Sequence, residues 1–202
     1  MIMGLCLLLG LVSVIVDRAF VSRQRRSSVG PQEQTEAGDI ARYNGKTFVV
    51  VKVVDGDTLD IDVPDGLEEH TRIRLWGVDT PETAHSSTGD AYFGEEASAF
   101  ATELALGKQV TIYLEEDRRT RDRYGRLLAY VQLPDRRFLN EVLLEEGYAY
   151  ADSRFKHSFY YKYKQLESAA RSGQKGLWLK VTPDQMPKWR QKITKNQDAN
   201  DN

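Results

Sequence analysis

Three short segments with the pattern of β-strands lie close together in this 202-residue chain, and no helical pattern separates them. They cover residues 47–54, 59–63 and 71–78, and each is rich in β-branched residues or alternates apolar with polar side chains. Gly56 and the stretch 64–66, Pro-Asp-Gly, supply turn residues between them. The chain therefore begins its folded part as a series of antiparallel hairpins.

The remaining pattern completes a barrel rather than an α/β sheet. Two more strands are predicted at 110–114 and 127–133, and helical spacing of apolar residues appears at 92–106, 138–146 and 159–171. Because these helices do not alternate with the strands, a βαβ sheet fits poorly. We predict a mainly β, α+β fold, in which a five-stranded closed barrel of the OB type carries three helices.

Composition limits how such a domain could bind nucleic acid. The formal net charge is −2, so attraction to phosphate requires a local basic cluster or a metal ion. The chain has a single cysteine, Cys6, which excludes an intramolecular disulfide, and no Cys/His spacing suggests a zinc site.

Acidic residues stand at the ends of two predicted strands. Asp57 follows the first turn and Asp79 ends the third strand, so a barrel could bring both carboxylates to one rim. Hard oxygen ligands without His or Cys suit Ca²⁺ or Mg²⁺. Glu82, three residues beyond Asp79, could position a water molecule near such an ion.

Two arginines could bind phosphate at the same rim. Arg74 lies five residues before Asp79, and this odd spacing would place the two on opposite faces of a regular strand, so a shared site requires the strand to bend. Arg126 approaches from a separate hairpin. Arginine forks bind phosphate oxygens in pairs and stabilise charge in a five-coordinate transition state.

Taken together, these motifs resemble staphylococcal nuclease. Order and approximate spacing agree over about residues 47–178, and Asn140-Glu141 and Gly176-Leu177-Trp178 fit as well. The segments that carry the resemblance are Val54-Asp55-Gly56-Asp57-Thr58, Arg74-Leu75-Trp76-Gly77-Val78-Asp79-Thr80-Pro81-Glu82-Thr83, Gly94-Glu95-Glu96-Ala97 and Asp122-Arg123-Tyr124-Gly125-Arg126-Leu127-Leu128-Ala129-Tyr130.

The resemblance implies a Ca²⁺-dependent endonuclease that acts on DNA, RNA or both, and a monomer. Asp57, Asp79 and the backbone carbonyl of Thr80 match the metal ligands, and Asp55 matches an acidic residue just outside them. The catalytic trio is matched by Arg74, Glu82 and Arg126. In that family water attacks phosphorus and the 5′-oxygen leaves, so the products carry 3′-phosphate ends.

Substrate contacts transfer less directly. Arg123 and Tyr124 match a Lys-Tyr pair that contacts nucleotide phosphate, and Arg121 belongs to the basic stretch beside them, a further predicted phosphate contact. Ser153 and Phe155 fall near the positions of two base-stacking tyrosines, so stacking is assigned to Phe155 or Tyr150.

One alternative is an OB module with little catalytic power, tethered to a membrane, that binds nucleic acid or protein. None of the matched acidic or arginine residues is missing, which favours catalysis over this alternative.

The N-terminus suggests a membrane. Met1 to Val16 carries no charge, nothing basic precedes it and no small-residue cleavage site follows, so residues 1–20 are predicted to form an uncleaved anchor helix, with a cleaved signal and secretion as the alternative. We predict a linker over 21–45, the barrel domain over 46–180 and a disordered polar tail over 181–202. Arginines after the helix favour the cytoplasmic side, whereas calcium is better supplied outside, so the side stays open.

Overall fold

Five strands form a closed barrel in the computed structural model, which describes residues 35–83 and 91–193. The strands are β1 (Lys46–Asp55), β2 (Thr58–Ile61), β3 (Thr71–Leu75), β5 (Gln109–Tyr113) and β6 (Leu127–Gln132). Two further short strands, β4 (Val78–Asp79) and β7 (Tyr150–Ala151), form a separate antiparallel ladder. The predicted five-stranded OB barrel is confirmed.

The barrel closes through pairs that are distant in sequence. β1 is antiparallel to both β2 and β5, and β5 is antiparallel to β6. β3 runs antiparallel to β2 and parallel to β6, with Arg74 opposite Leu128. The parallel β3–β6 pair therefore places the start of β6, which Arg126 directly precedes, beside the strand that carries Arg74.

The third predicted strand, 71–78, is interrupted. β3 ends at Leu75, and Gly77, with a φ of 76°, turns the chain before β4 begins at Val78. Glycine adopts this left-handed conformation without the steric cost other residues pay. This turn is the bend that the spacing of Arg74 and Asp79 requires.

The helices are α2 (Gly94–Ala105), α3 (Leu139–Glu145) and α4 (Tyr160–Ser172), in the three predicted places. They pack on a barrel core of fully buried aliphatic residues, among them Ile61, Ile73 and Leu127.

One further helix, α1 (Glu36–Tyr43), lies in the predicted linker, so the prediction of a linker over 21–45 is wrong for its last part. The Thr35 hydroxyl accepts a hydrogen bond from the Gly38 amide at 3.1 Å and caps the first turn. Tyr43 is fully buried, and its hydroxyl lies 3.0 Å from the Thr71 hydroxyl in the barrel. Packing against the barrel therefore fixes this short segment as a helix.

The predicted disordered tail is also wrong for residues 181–193, which we call the C-terminal segment. It contains a 3-10 turn at Pro183–Gln185, closed by a capping box with Thr182, and residues 188–193 are helical. Met186 and Trp189 pack against a second apolar cluster around Tyr150 and Trp178. These apolar contacts order a stretch whose overall composition is polar.

The predicted anchor at 1–20 lies outside the described residues. Among the residues that the structure describes, no helix is long and apolar enough to cross a membrane.

Candidate active site

Asp57 occupies the turn between β1 and β2 and is 6% exposed. The Asp55 carboxylate accepts a hydrogen bond from the Asp57 amide at 3.0 Å, which fixes this turn. Asp57 Oδ2 accepts hydrogen bonds from the Thr80 amide at 2.7 Å and the Thr80 hydroxyl at 3.2 Å. A Cβ on Gly56 would lie 2.8 Å from the Thr80 side chain, so only glycine lets this turn approach Thr80 so closely.

Arg74 joins the two predicted metal carboxylates. Its Nε lies 3.1 Å from Asp57 Oδ1, and its Nη2 donates to Asp79 Oδ1 at 2.8 Å. Its Nη1 donates to the carbonyls of Leu75 and Val78, at 2.9 and 2.6 Å, on either side of the Gly77 turn. The bent backbone therefore holds this guanidinium, whose side chain is 13% exposed, between two carboxylates.

Arg126 reaches the same rim from the loop before β6. Its Nε donates to Asp122 Oδ2 at 2.7 Å, and its Nη1 lies 3.5 Å from the Thr58 hydroxyl. That hydroxyl donates in turn to Asp57 Oδ1 at 3.2 Å. Thr58 thus links the second arginine to the first carboxylate.

Glu82 follows β4 and its side chain is exposed. Its backbone carbonyl accepts a hydrogen bond from the Ala91 amide at 3.0 Å. A Cβ on Gly94, the first residue of α2, would lie 2.1 Å from this carbonyl oxygen. The close approach of α2 therefore fixes the backbone of Glu82, which is itself an exposed residue.

A cavity of about 440 Å³ opens beside Arg74. Its walls carry an excess of positive charge and two exposed aromatic rings, which are the features that bind phosphate and stack on bases. The charged and aromatic lining residues include Arg74, Arg119, Arg123, Arg126, Arg154, Asp122, Asp152, Tyr124 and Phe155.

The two aromatic rings are held by arginines. Tyr124 is 68% exposed, and the Arg123 and Arg126 guanidinium carbons lie 4.7 and 5.5 Å from its ring centre. Phe155 is 51% exposed, with the guanidinium carbon of Arg119 5.6 Å from its ring. The structure thus brings Arg123, Tyr124 and Phe155 into one cavity wall.

Arg121 and Tyr150 do not belong to this wall, which corrects two of the predicted substrate contacts. Arg121 is 12% exposed and binds Asp39 and Asp65 through paired hydrogen bonds, so its donors are directed into the protein. Tyr150 is 1% exposed and packs edge-on against Trp178, so its ring offers no face to a base.

Burial shapes the protonation of the two carboxylates. It raises the pKa of Asp57 to about 6, from an ordinary 3.8, although the Arg74 guanidinium acts in the opposite direction. Burial likewise raises the pKa of Asp79 against the opposing charge of Arg74. Both ionised carboxylates are therefore penalised in the absence of further positive charge.

The donor set fits a hard divalent cation. Within the described part of the chain, no group of three or more His, Cys, Asp or Glu side chains is arranged around a common metal position. An ion at this rim would accordingly depend on Asp57, Asp79 and a backbone oxygen of Thr80, which are oxygen ligands suited to Ca²⁺ or Mg²⁺. Added positive charge would also relieve the burial penalty on both carboxylates.

Two residues that the sequence did not point to also contact Asp79. Arg154 Nη2 donates to Oδ1 at 3.1 Å, and Trp189 Nε1 donates to Oδ2 at 2.8 Å. For Trp189, the sequence signal was a tryptophan, followed by Arg190, in a stretch otherwise typical of disorder. Such a bulky apolar residue indicates packing rather than a free tail.

The fold and the rim define an OB-barrel protein in which two carboxylates contact Arg74, one of the arginines that line a cationic cavity. The profile of the family described as staphylococcal nuclease homologue matches residues 72–180. A thermonuclease of Staphylococcus hyicus is 36% identical over 170 residues, which cover 84% of this chain and 95% of that protein. The chain belongs to the staphylococcal nuclease homologue family.

Two further relatives, a thermonuclease and an endonuclease, are similar to this chain. A thermonuclease of Staphylococcus intermedius is 46% identical over 107 residues, covering 53% of this chain and 60% of that protein. Endonuclease YncB of Bacillus subtilis is 32% identical over 165 residues, covering 79% of this chain and 76% of that protein.

Proposed function

We propose that this chain is a Ca²⁺-dependent endonuclease that hydrolyses phosphodiester bonds of DNA, RNA or both. The nuclease class follows from the family and from relatives that are named thermonuclease and endonuclease. The observation that carries the finer proposal is Arg74 in contact with both Asp57 and Asp79, with Arg126 connected to the same rim through Thr58.

The two arginines bind the scissile phosphate in this proposal. Arg74 sits at the edge of the cationic cavity, where its guanidinium is held in place by backbone carbonyls. Arg126 is oriented by Asp122 and is partly exposed to the same cavity. Charged donors fixed in advance stabilise the developing negative charge on the phosphate oxygens, and each contributes about 10²–10³-fold to the rate.

Glu82 is the group that orients the attacking water and takes its proton. The residue is exposed, and its backbone is fixed by Ala91 and by the close contact with Gly94. The proton removed from water goes to Glu82, and the new P–O bond forms as the bond from phosphorus to the 5′-oxygen breaks. The departing 5′-oxygen takes a proton from solvent, so one product carries a 3′-phosphate and the other a 5′-hydroxyl. General-base catalysis of this kind contributes about 10²–10⁴-fold.

Asp57, Asp79 and the carbonyl of Thr80 would hold the ion, with Asp55 behind them. Bound Ca²⁺ would supply positive charge at this rim. Asp57 is already directed by the Thr80 amide and hydroxyl, and Asp79 by Arg74. The neighbouring wall, with Arg123, Tyr124 and Phe155, then takes the adjoining nucleotides through phosphate contacts and stacking.

A nicking assay tests this function. Supercoiled plasmid and a structureless RNA are incubated with the protein in Ca²⁺, in Mg²⁺ and in EDTA, and the product ends are mapped. We expect Ca²⁺-dependent cleavage with 3′-phosphate ends, reduced at least about 100-fold in Arg126→Ala and in Glu82→Ala. Cleavage that persists in EDTA, or in both variants, would contradict the proposal.

The same assay separates the binding-module alternative. Filter binding of the two substrates is measured beside cleavage, with Arg137→Ala as the control, because Arg137 is an exposed arginine paired with nearby Asp135 and is not a lining residue of the cationic cavity. Tight binding without cleavage by the unaltered protein would favour the binding module, whereas loss of cleavage confined to the rim variants supports the enzyme.

The proposal includes a membrane anchor at residues 1–20, which the absence of charge from Met1 to Val16 supports. Fractionation of cells that express the whole chain or a chain starting at Thr35 tests it. Release of only the shortened chain into the soluble fraction is expected, and protease treatment of intact cells then reports the side on which the domain lies.

A further inference from the structure

The C-terminal segment reaches the proposed metal site. Trp189 Nε1 donates a 2.8 Å hydrogen bond to Asp79 Oδ2, while the other oxygen, Oδ1, accepts from Arg74 and Arg154. The Arg154 guanidinium carbon lies 4.8 Å from the Trp189 ring. Both carboxylate oxygens of Asp79 thus accept hydrogen bonds, from donors in three separate parts of the chain.

The next residue attaches the segment to the partner strand of Asp79. Arg190 Nη2 donates to Glu167 Oε2 at 2.7 Å, and Glu167 Oε1 accepts from the Ala151 amide at 3.0 Å. Ala151 lies on β7, which pairs with β4 through Asp79 and Tyr150. Two consecutive residues, Trp189 and Arg190, therefore attach to the two strands of the same short ladder.

These contacts lie outside the part of the chain that defines the family. The family profile ends at residue 180, nine positions before Trp189. The ladder that carries Asp79 contains only two residue pairs, so little else in it resists rotation of this strand end. The C-terminal segment therefore adds to Arg74 and Arg154 in restraining the Asp79 carboxylate.

We infer that Trp189 is a positioning residue for the metal site. Its indole N–H holds the Asp79 carboxylate in the orientation that binds the cation, and Arg154 stacks on the indole to keep it there. This inference rests on the proposed metal-dependent function. A carboxylate oxygen has two lone pairs, so an oxygen that accepts one N–H bond can still bind a metal ion. Partners of this kind commonly change metal affinity 10–100-fold.

The test is Ca²⁺ affinity in Trp189→Phe. This variant of the whole chain keeps an aromatic ring for Arg154 and for the second apolar cluster, and it removes only the N–H donor and part of the ring. Calcium chloride is titrated into the protein alone by calorimetry. We expect the Ca²⁺ Kd to rise about tenfold or more, and cleavage to fall at limiting Ca²⁺ but recover at saturating Ca²⁺.

Trp178→Phe is the matched control. Trp178 belongs to the same apolar cluster, and its buried Nε1 has no hydrogen-bond partner among the described residues, so the substitution removes an indole without removing a contact to Asp79. Its Ca²⁺ Kd is expected to stay within twofold of the unaltered protein. Thermal unfolding of both variants shows whether a weaker Ca²⁺ affinity merely reflects a loss of stability.

The outcomes are distinct. An unchanged Kd in Trp189→Phe, or an equal increase in both variants, overturns the positioning role while the nuclease proposal stands. Tighter Ca²⁺ binding in Trp189→Phe also overturns it, because the indole would then compete with the ion. No Ca²⁺ binding by the unaltered protein contradicts the proposed function itself.

Discussion

Arg74 and Arg121 are both largely buried arginines, yet their partners give them different roles. Arg74 contacts Asp57 and Asp79 at the rim of the cavity, where a phosphate can approach. Arg121 makes paired bonds to Asp39 in α1 and to Asp65 in the loop before β3. Neighbouring elements, rather than residue type, therefore decide which arginine is available to a substrate.

Arg121→Ala is expected to lower the free energy of unfolding by about 3–5 kcal/mol, because it leaves the 4%-exposed carboxylate of Asp39 without its main partner. Activity per folded molecule should stay close to that of the unaltered protein. Urea unfolding and initial cleavage rates measure the two quantities.

Arg123→Ala is the contrasting variant, since Arg123 is exposed beside Tyr124. Its stability should change by less than about 0.5 kcal/mol, and KM for nucleic acid should rise. If Arg121→Ala raised KM without lowering stability, the assignment of Arg121 to structure would be wrong.

At the scale of elements, close packing of α2 against the chain after β4 fixes Glu82. The Gly94→Ala variant adds a Cβ that would lie 2.1 Å from the Glu82 carbonyl oxygen, so this backbone must move. A displacement of about 1 Å at a catalytic group can cost about 100-fold, and we expect a loss of kcat of that order, measured by steady-state kinetics.

Gly173→Ala is the control for that experiment. Gly173 follows α4, and an added Cβ there would meet its nearest atom at 3.4 Å, an ordinary contact. Its kcat should be unchanged. Equal losses in both variants would show that the effect is general and not specific to Glu82.

Elements with a strong local pattern could be predicted from the sequence, and those fixed by tertiary contacts could not. β1 and α2 were found within two residues of the predicted bounds, because apolar spacing reports their periods. Helix α1 escaped because its eight residues are too few to show a clear period, and it is fixed by packing of Tyr43 against the barrel core. The bend at Gly77 was required by the spacing of site residues but not visible in the strand pattern.

The same limit applied to the site. Asp57, Asp79 and the two rim arginines lie in motifs that sequence spacing identifies. Contacts between distant positions, such as Arg121 with Asp39 or Trp189 with Asp79, leave no periodic trace in the sequence. Asp39 lies in the range 21–45 and Trp189 in the range 181–202, which composition assigned to a linker and a tail. Neither contact could therefore be anticipated.

The whole molecule is expected to lose stability in mild acid through His157. Burial lowers the pKa of His157 to about 4 from 6.5, with Glu115 and Asp152 opposing this shift and Arg118 adding to it. Below pH 6.5 this histidine therefore binds a proton in the unfolded chain, whereas in the folded protein it binds one only near pH 4. The neutral His157 therefore contributes to the free energy of unfolding in full above pH 6.5, and this contribution is lost as the pH falls from 6.5 to about 4.

His157→Gln tests this, because glutamine is neutral throughout and can still hydrogen-bond to Tyr130, whose hydroxyl lies 3.1 Å from His157 Nδ1. Between pH 7 and 4, the unaltered protein should lose up to about 3 kcal/mol more than the variant, measured by urea unfolding. Asp57, with a raised pKa, changes stability in the opposite direction but equally in both proteins. Parallel pH curves for the two would contradict the assignment.

The pairing order of the barrel also sets when the molecule can become active during synthesis. Asp57 leaves the ribosome before Arg126 and the parallel partner of β3, and Trp189 follows them. At about 5–20 residues per second, roughly several seconds separate the first carboxylate from the second arginine. A ribosome-bound chain that ends before β6 thus carries the acidic hairpin without both rim arginines, and the proposed nuclease site is complete only once the barrel can close.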